Sequence, residues 1–264
     1  MRPNPAMPYV DAATGGIAMT ERTVSISPQH YARICGALYL YIIVAGIFAE
    51  LFVRSRLVVP TDAAATASNI MANESLFRIG FSGELLHLSF DVAVAVILYA
   101  LLRPVDRNIA LLAAAMRFAA DIILAVASLS HFAALRLLAD ADYLKAFPAD
   151  QLHTLALLAL KLQGDGYAIC LLFFGFACLS LGYLVFSSRF LPRTIGALMA
   201  VAGVCYLINS FSHFLAPAFA TTLFPALFVP MFIAELSLAL WLIVKGVDVA
   251  KWEERATSQR VSTT

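Results

Sequence analysis

The sequence predicts an all-α fold: a polytopic membrane helix bundle with six transmembrane helices and short interfacial helices in the first and third loops. Three observations carry this. Hydrophobic residues make up 61% of the 264-residue chain. Charged residues make up 13%, against about 25% in ordinary soluble domains. The apolar residues also fall into unbroken blocks, and about 20 residues at 1.5 Å each cross the hydrocarbon of a bilayer. Backbone groups in lipid must find their partners within the segment, so such blocks form helices. The net charge of +1 offers no basic surface for nucleic acid.

The elements follow in order. Residues 1–30 carry Pro, Ala and Ser without an apolar period and are read as a disordered cytoplasmic tail. Met19, followed by TERTVSISPQHYARI, is a second candidate start of translation. The membrane domain covers residues 31–248, with spans at Tyr31–Val53, Leu76–Leu102, Asn108–Leu138, Gly166–Phe186, Thr194–Leu215 and Leu223–Val247. The first run is too long for a signal-peptide core, and FAELFVRSR follows it in place of a small-residue cleavage site. In the first loop, Pro60 and Asp62 open a short capped helix in PTDAAATASNIMANES. Asp150–Gln163 alternates leucines with polar residues. It is predicted to lie along the interface, broken from the fourth span by Gly164 and Gly166. Residues 249–264 form a cytoplasmic C-terminal tail. Cys35, Cys170, Cys178 and Cys205 all lie in apolar runs without CxxC spacing and read as small core residues.

Lys and Arg near the span ends set orientation. One side collects Arg22, Arg33, Arg103, Arg107, Arg189, Arg193, Lys245, Lys251, Arg255 and Arg260. The other has Arg54, Arg56, Arg78, Arg136, Lys145 and Lys161. Ten against six places both termini in the cytoplasm. There is also a short internal repeat. YALLRPVDRNIALL and YLVFSSRFLPRTIGAL share a Tyr, an apolar stretch, Arg, Pro and Arg, and the span after each ends in Ser-x-Ser-His-Phe. The match admits duplicated two-span units or three plain helical hairpins.

An ionisable residue within a span costs roughly 2.5–3.5 kcal/mol on insertion scales, so each should face the bundle interior. Counting rise from the cytoplasmic basic residues puts Glu235 and Arg117 near ~15 Å, Asp91 ~18 Å, Asp121 ~21 Å and His87 ~24 Å. Glu50 and Glu84 follow at ~25–28 Å, His213 at ~30 Å, and His131 and Asp165 at ~36 Å. Nearly all lie between the midplane and the outer surface. Glu84, His87 and Asp91, spaced three and four apart, share one helical face. The expected site is an outward-facing polar pocket for a small-molecule ligand, lined by Glu84, His87, Asp91, Asp165, His213 and Glu235. Glu-x-x-His is also a metal-ligand spacing in helix bundles, and His87, His131 and His213 form a candidate zinc set. Arg117 and Asp121, one turn apart, are expected to form a structural ion pair, and Lys161 and Asp165 a second one at the interface. Glu235 has no local basic partner and needs one from another helix.

YARICGALYLYIIVAGIF, LYALLRPVDRNIAL, YLVFSSRFLPRTIGALM and AELSLALWLIVKGVD together resemble a bacterial family of small integral membrane proteins. That family is known only as a domain of unknown function, number four-three-eight-six. The similarity runs from about Tyr31 to Asp248. It implies a bacterial inner-membrane protein of this helical layout and carries no activity with it. Glu84, Asp165 and Glu235 fall within the stretches that resemble the family, and the two Ser-x-Ser-His-Phe histidines fall outside its pattern.

Three function classes remain open. One is binding or transport of a small solute. Another is a metal-dependent membrane hydrolase, with a carboxylate as base for a metal-bound water. The third is a non-catalytic membrane partner. No GxSxG elbow, HExxH or Gly-rich phosphate loop is present in the sequence. The threading makes a direct prediction. Reporter fusions after Leu102 and after Phe186 should both read cytoplasmic, and an external signal from either would reverse the topology.

Overall fold

The computed structural model describes residues 27–262. Residues 1–26, which hold Met19, Arg22 and most of the predicted tail, lie outside the described residues. The first helix, α1 (Pro28–Phe48), starts three residues inside that tail. Ser27 caps it by accepting from the His30 amide, and Pro28 sits at its first turn, where a missing N–H costs nothing. A π-helical turn, Ala49–Arg54, and a last α turn, Ser55–Leu57, extend the span. In the first loop, α2 (Ala63–Ala72) forms as predicted. The Asp62 carboxylate caps it by accepting from the Ala65 amide at 2.9 Å.

The remaining helices are α3 (Glu74–Leu102), α4 (Arg107–Leu137), α5 (Ala149–Ser188), α6 (Arg193–Leu215), α7 (Pro217–Val244) and α8 (Val249–Ser262). Six helices are long and apolar enough to cross a membrane: α1 with its extension, and α3 to α7. They form a closed ring in chain order. Each packs on the next, and α1 packs on α7 to close the circle. All six ring contacts are therefore antiparallel. Below, "proximal" means the end that holds Pro28 and Val244, and "distal" the opposite end.

Three sequence expectations are corrected. Asp150–Gln163 is not a separate interfacial helix, because α5 runs unbroken for 40 residues. At 1.5 Å per residue it is about 60 Å long, twice the hydrocarbon thickness, and its first turns project past the distal end. Those turns stay upright because Ala156, Ala159 and Leu160 are buried against Val53, Leu57, Ile70, Ala134 and Leu135. The glycines there permit close approach and do not break the helix. A Cβ on Gly166 would stand 2.6 Å from the Ala127 methyl. The third loop holds only a 3-10 turn at Asp142–Leu144. The last span begins at Pro217 and ends at Val244, where Gly246, at φ 68°, turns the chain.

The C-terminal segment is a helix docked on the proximal end, not a loose tail. Trp252 of α8 donates its indole N–H to the Leu101 carbonyl at 2.8 Å, and Arg255 donates to the Ser187 carbonyl at 3.0 Å. Gln29 donates to the Lys245 carbonyl at 2.8 Å and accepts from the Val247 amide at 3.0 Å, which ties α1 to the turn after α7.

The tightest wall of the ring is the α5–α6 hairpin. Gly175 faces Gly203 and Gly182 faces Gly196, two pairs set one heptad apart on antiparallel helices. A Cβ on Gly196 would meet the Phe186 amide nitrogen at 2.5 Å, and one on Gly182 the Ala200 nitrogen at 2.7 Å. Small residues let backbones approach this closely in membranes, where packing and weak polar contacts hold helices together. Gly196→Ala is therefore expected to lower stability in SDS-titration unfolding by about 1–3 kcal/mol, the usual cost of overpacking. Gly46→Ala, whose Cβ meets nothing within 4 Å, should leave stability unchanged or slightly raised.

Candidate functional site

Every spanning helix contributes a side chain to one cluster inside the ring. Arg117 of α4 is its hub and is 3% exposed. Its Nε donates to both carboxylate oxygens of Asp91 on α3, at 3.0 and 2.9 Å, and its Nη2 adds a further bond to Asp91. The guanidinium carbon lies 4.8 Å from the ring centre of Tyr39 on α1 and 4.9 Å from that of Phe174 on α5. Phe174 meets Tyr206 of α6 edge-on at 5.2 Å. The Tyr206 hydroxyl donates to Glu235 of α7. Glu235 thus finds its partner on another helix, as its lack of a local one required.

The expected Arg117–Asp121 ion pair is corrected: the partner is Asp91. A basic residue N-terminal to an acid at i,i+4 is the weaker orientation on a helix, and the neighbouring helix offers a carboxylate square to the guanidinium fork. Asp121 lies beside Asp91, 7% exposed, and its Oδ2 has no hydrogen-bond partner. The buried Tyr39 hydroxyl has Arg117 and Glu235 as its charged neighbours. A small cavity of about 20 Å³ reaches Arg117 from the proximal side, between α3, α4 and α5. It has room for about one water.

Toward the distal end the polar side chains continue. Glu84 of α3 lies 3.2 Å from His131 Nδ1, and the Ser128 hydroxyl, 2.8 Å from Glu84, also lies 2.8 Å from the Leu124 carbonyl. One hydroxyl proton serves only one of these at a time. Phe77 and Phe81 hold the His131 ring edge-on at 4.5 and 5.8 Å. His87 sits half-buried between Glu84 and Asp91 along the α3 face. Asp165 of α5 pairs with His213 of α6 at 2.9 Å, with both side chains about half exposed.

The six expected pocket residues therefore do not line one pocket. Asp91 and Glu235 belong to the central cluster, Glu84 and His87 to the step above it, and Asp165 and His213 to a separate distal pair. His131 and His213, the two motif histidines, each pair with a carboxylate on the preceding helix, so the repeat in the sequence has a counterpart in the contacts. The structure does not bring His87, His131 and His213 together. Among the described residues, no group of three or more His, Cys, Asp or Glu is placed to hold a metal. The expected Lys161–Asp165 ion pair is also replaced, since Asp165 turns to His213. Sequence reasoning missed Tyr39, Phe174 and Tyr206. The available signal was two tyrosines deep in apolar runs, where a phenol needs a partner.

The fold and the cluster define a six-span, all-helical membrane protein with a charged core. A family model for "Domain of unknown function (DUF4386)" matches residues 34–246, and the chain belongs to that family. It is also similar to an uncharacterized protein of Archaeoglobus fulgidus, 29% identical over 166 residues, which cover 62% of this chain and 82% of that protein. No solved structure matches.

The Asp91–Arg117 bond is open to a double-mutant cycle. Asp91→Asn and Arg117→Gln should each destabilise by about 3–5 kcal/mol, because each leaves a buried charge alone. The double variant should lose clearly less than the sum when unfolding is followed in mixed micelles.

Proposed function

We propose that this protein is a binding or transport-type membrane protein that moves a small solute in exchange with protons, with the Arg117 cluster as its working element. The proposal places it in the plasma membrane with both termini cytoplasmic, supported by the ten-to-six distribution of basic residues. One observation carries the reading. All six spanning helices meet in a single polar and aromatic cluster, so any shift between helices must rearrange it. Carboxyl and histidine chains within membranes mark ion and proton pathways. Here Glu84, His131 and His87 lead from the distal end toward Asp91, Arg117 and Asp121, and the small cavity leads on from Arg117 toward the proximal end. A second buried carboxyl group, Asp121, stands beside the Asp91–Arg117 pair without taking part in it, a composition suited to exchanging a proton.

A second reading has its own support. Asp91, Arg117 and Glu235 all have partners within the chain, and the cavity beside Arg117 is far smaller than a solute. A non-catalytic assembly partner held together by interhelical polar bonds would look the same there.

Reconstituted vesicles separate the two. With a trapped pH dye and a panel of amino acids, sugars, amines and inorganic cations loaded inside in turn, wild-type vesicles should take up protons faster than protein-free ones for at least one solute. Glu235→Gln and Asp121→Asn should abolish the difference while melting in detergent near the wild-type temperature. Wild-type uptake equal to that of empty vesicles, with both variants melting early, would establish the structural reading in its place.

A further inference from the structure

A second site lies outside the cluster, at the distal end of α1. A crevice of about 210 Å³ opens between the π-helical turn and the early part of α5. Glu50, Arg54 and Lys161 contribute its charges, and Val58, Leu157 and Leu160 its apolar surface. Among the described residues, none of these three charged side chains takes part in an ion pair.

Contacts with other helices produce that separation. On an α-helix, a glutamate four residues before an arginine faces it in the favoured orientation for pairing. Here the two residues lie within a π-helical turn, where the Ser55 amide bonds back five residues to the Glu50 carbonyl. The guanidinium crosses to α5 and donates to the side-chain oxygen of Gln163 at 2.5 Å. Gln163 is 7% exposed. The guanidinium lies where Gly164 has no side chain, since a Cβ there would stand 2.7 Å from Arg54 Nη2. Lys161 is released in turn because Asp165 pairs with His213. Single π turns recur at functional sites.

From Arg33 to Arg54 the rise is about 32 Å, close to the hydrocarbon thickness, so Arg54 stands at the level of lipid phosphates. We propose that this crevice binds a phosphate ester that bears a nearby amine, the chemistry of a phosphoethanolamine headgroup. Arg54 and Lys161 hold the phosphate, Glu50 holds the ammonium, and Val58, Leu157 and Leu160 face the carbon skeleton. A guanidinium is suited to a phosphate by its fixed fork of donors. A crevice of this volume holds a group several times larger than a water. This site stands independently of the proton-coupled reading.

The test is titration of the purified full chain with dihexanoyl phosphatidylethanolamine, dihexanoyl phosphatidylglycerol and free O-phosphoethanolamine, followed by native mass spectrometry. Wild type should bind the ethanolamine lipid more tightly than the glycerol lipid. Arg54→Gln and Lys161→Gln should each weaken both about tenfold or more, the loss expected of one charge-assisted hydrogen bond. Glu50→Gln should erase the preference for the amine. Gly164→Ala changes no charge and displaces only the guanidinium, so it should weaken binding even if Arg54→Gln folds poorly. Free O-phosphoethanolamine that competes with the lipid confirms the headgroup as the recognised part. If it binds and the lipid does not, the site holds and its source is a soluble solute. Equal retention of both lipids by wild type and all four variants, or binding of none of the three probes, would overturn the proposal.

Discussion

A guanidinium inside a membrane governs this structure. An arginine that faces lipid costs several kilocalories per mole, and it cannot shed its charge. Arg117 is far from either helix end, so it cannot extend to the interface. It needs a carboxylate, and both groups need shelter from lipid. Asp91 supplies the carboxylate from α3, and the rings of Tyr39 and Phe174 cover the guanidinium from α1 and α5. No single hairpin can provide all of these. The closed ring is the arrangement in which a central charge is screened on every side.

The rest of the ring follows from that demand. Helices around a central cluster must pack closely elsewhere, or lipid and water reach the charge. The α5–α6 wall meets the need with paired glycines. The closing contact between α1 and α7 does the same at Gly36, where a Cβ would stand 2.7 Å from the Ala239 carbonyl oxygen. The proximal end is then bolted by Gln29, Trp252 and Arg255, which bond to carbonyls at or just beyond the ends of α7, α3 and α5. Those carbonyls are helix-end acceptors with no partner inside their own helices. The segment that looked like a tail in the sequence is therefore a helix-capping device.

Much of this was legible in the sequence because hydropathy and rise per residue are local properties. All six spans were placed, and the depth count grouped the right residues. Asp91 and Arg117 fell within one turn of each other, and both are now one bond. Glu235 fell at the same level and joins the same cluster. The count could not say which helices are neighbours, and it scattered His131 and His213 away from their partners by more than a turn. The two expected ion pairs failed for one reason. Arg117–Asp121 and Lys161–Asp165 both place the base before the acid, and the base of the first and the acid of the second found a better partner on the adjacent helix. Within one helix the alternatives are few and weak, whereas a neighbouring helix presents a side chain at a chosen angle. Asp150–Gln163 was misread because leucine alternation fits either lipid or a covering protein surface, and the covering residues come from α1, α2 and α4.

The same contrast explains why the structure holds two kinds of charge. In the core Asp91, Arg117 and Glu235 are met across helices, because unmet charges there would oppose the packing of the bundle. At the distal end of α1, water and headgroups lower that penalty, and the chain keeps Glu50, Arg54 and Lys161 apart from one another. Arg54 is drawn across to Gln163 and the space at Gly164 on α5, and Asp165 turns from Lys161 to His213. A helical wheel drawn from the sequence pairs Glu50 with Arg54, because it cannot show that a glutamine on another helix takes the guanidinium. Contacts to α5 thus leave charge outside ion pairs at the interface, while the core holds the Asp91–Arg117 pair inside.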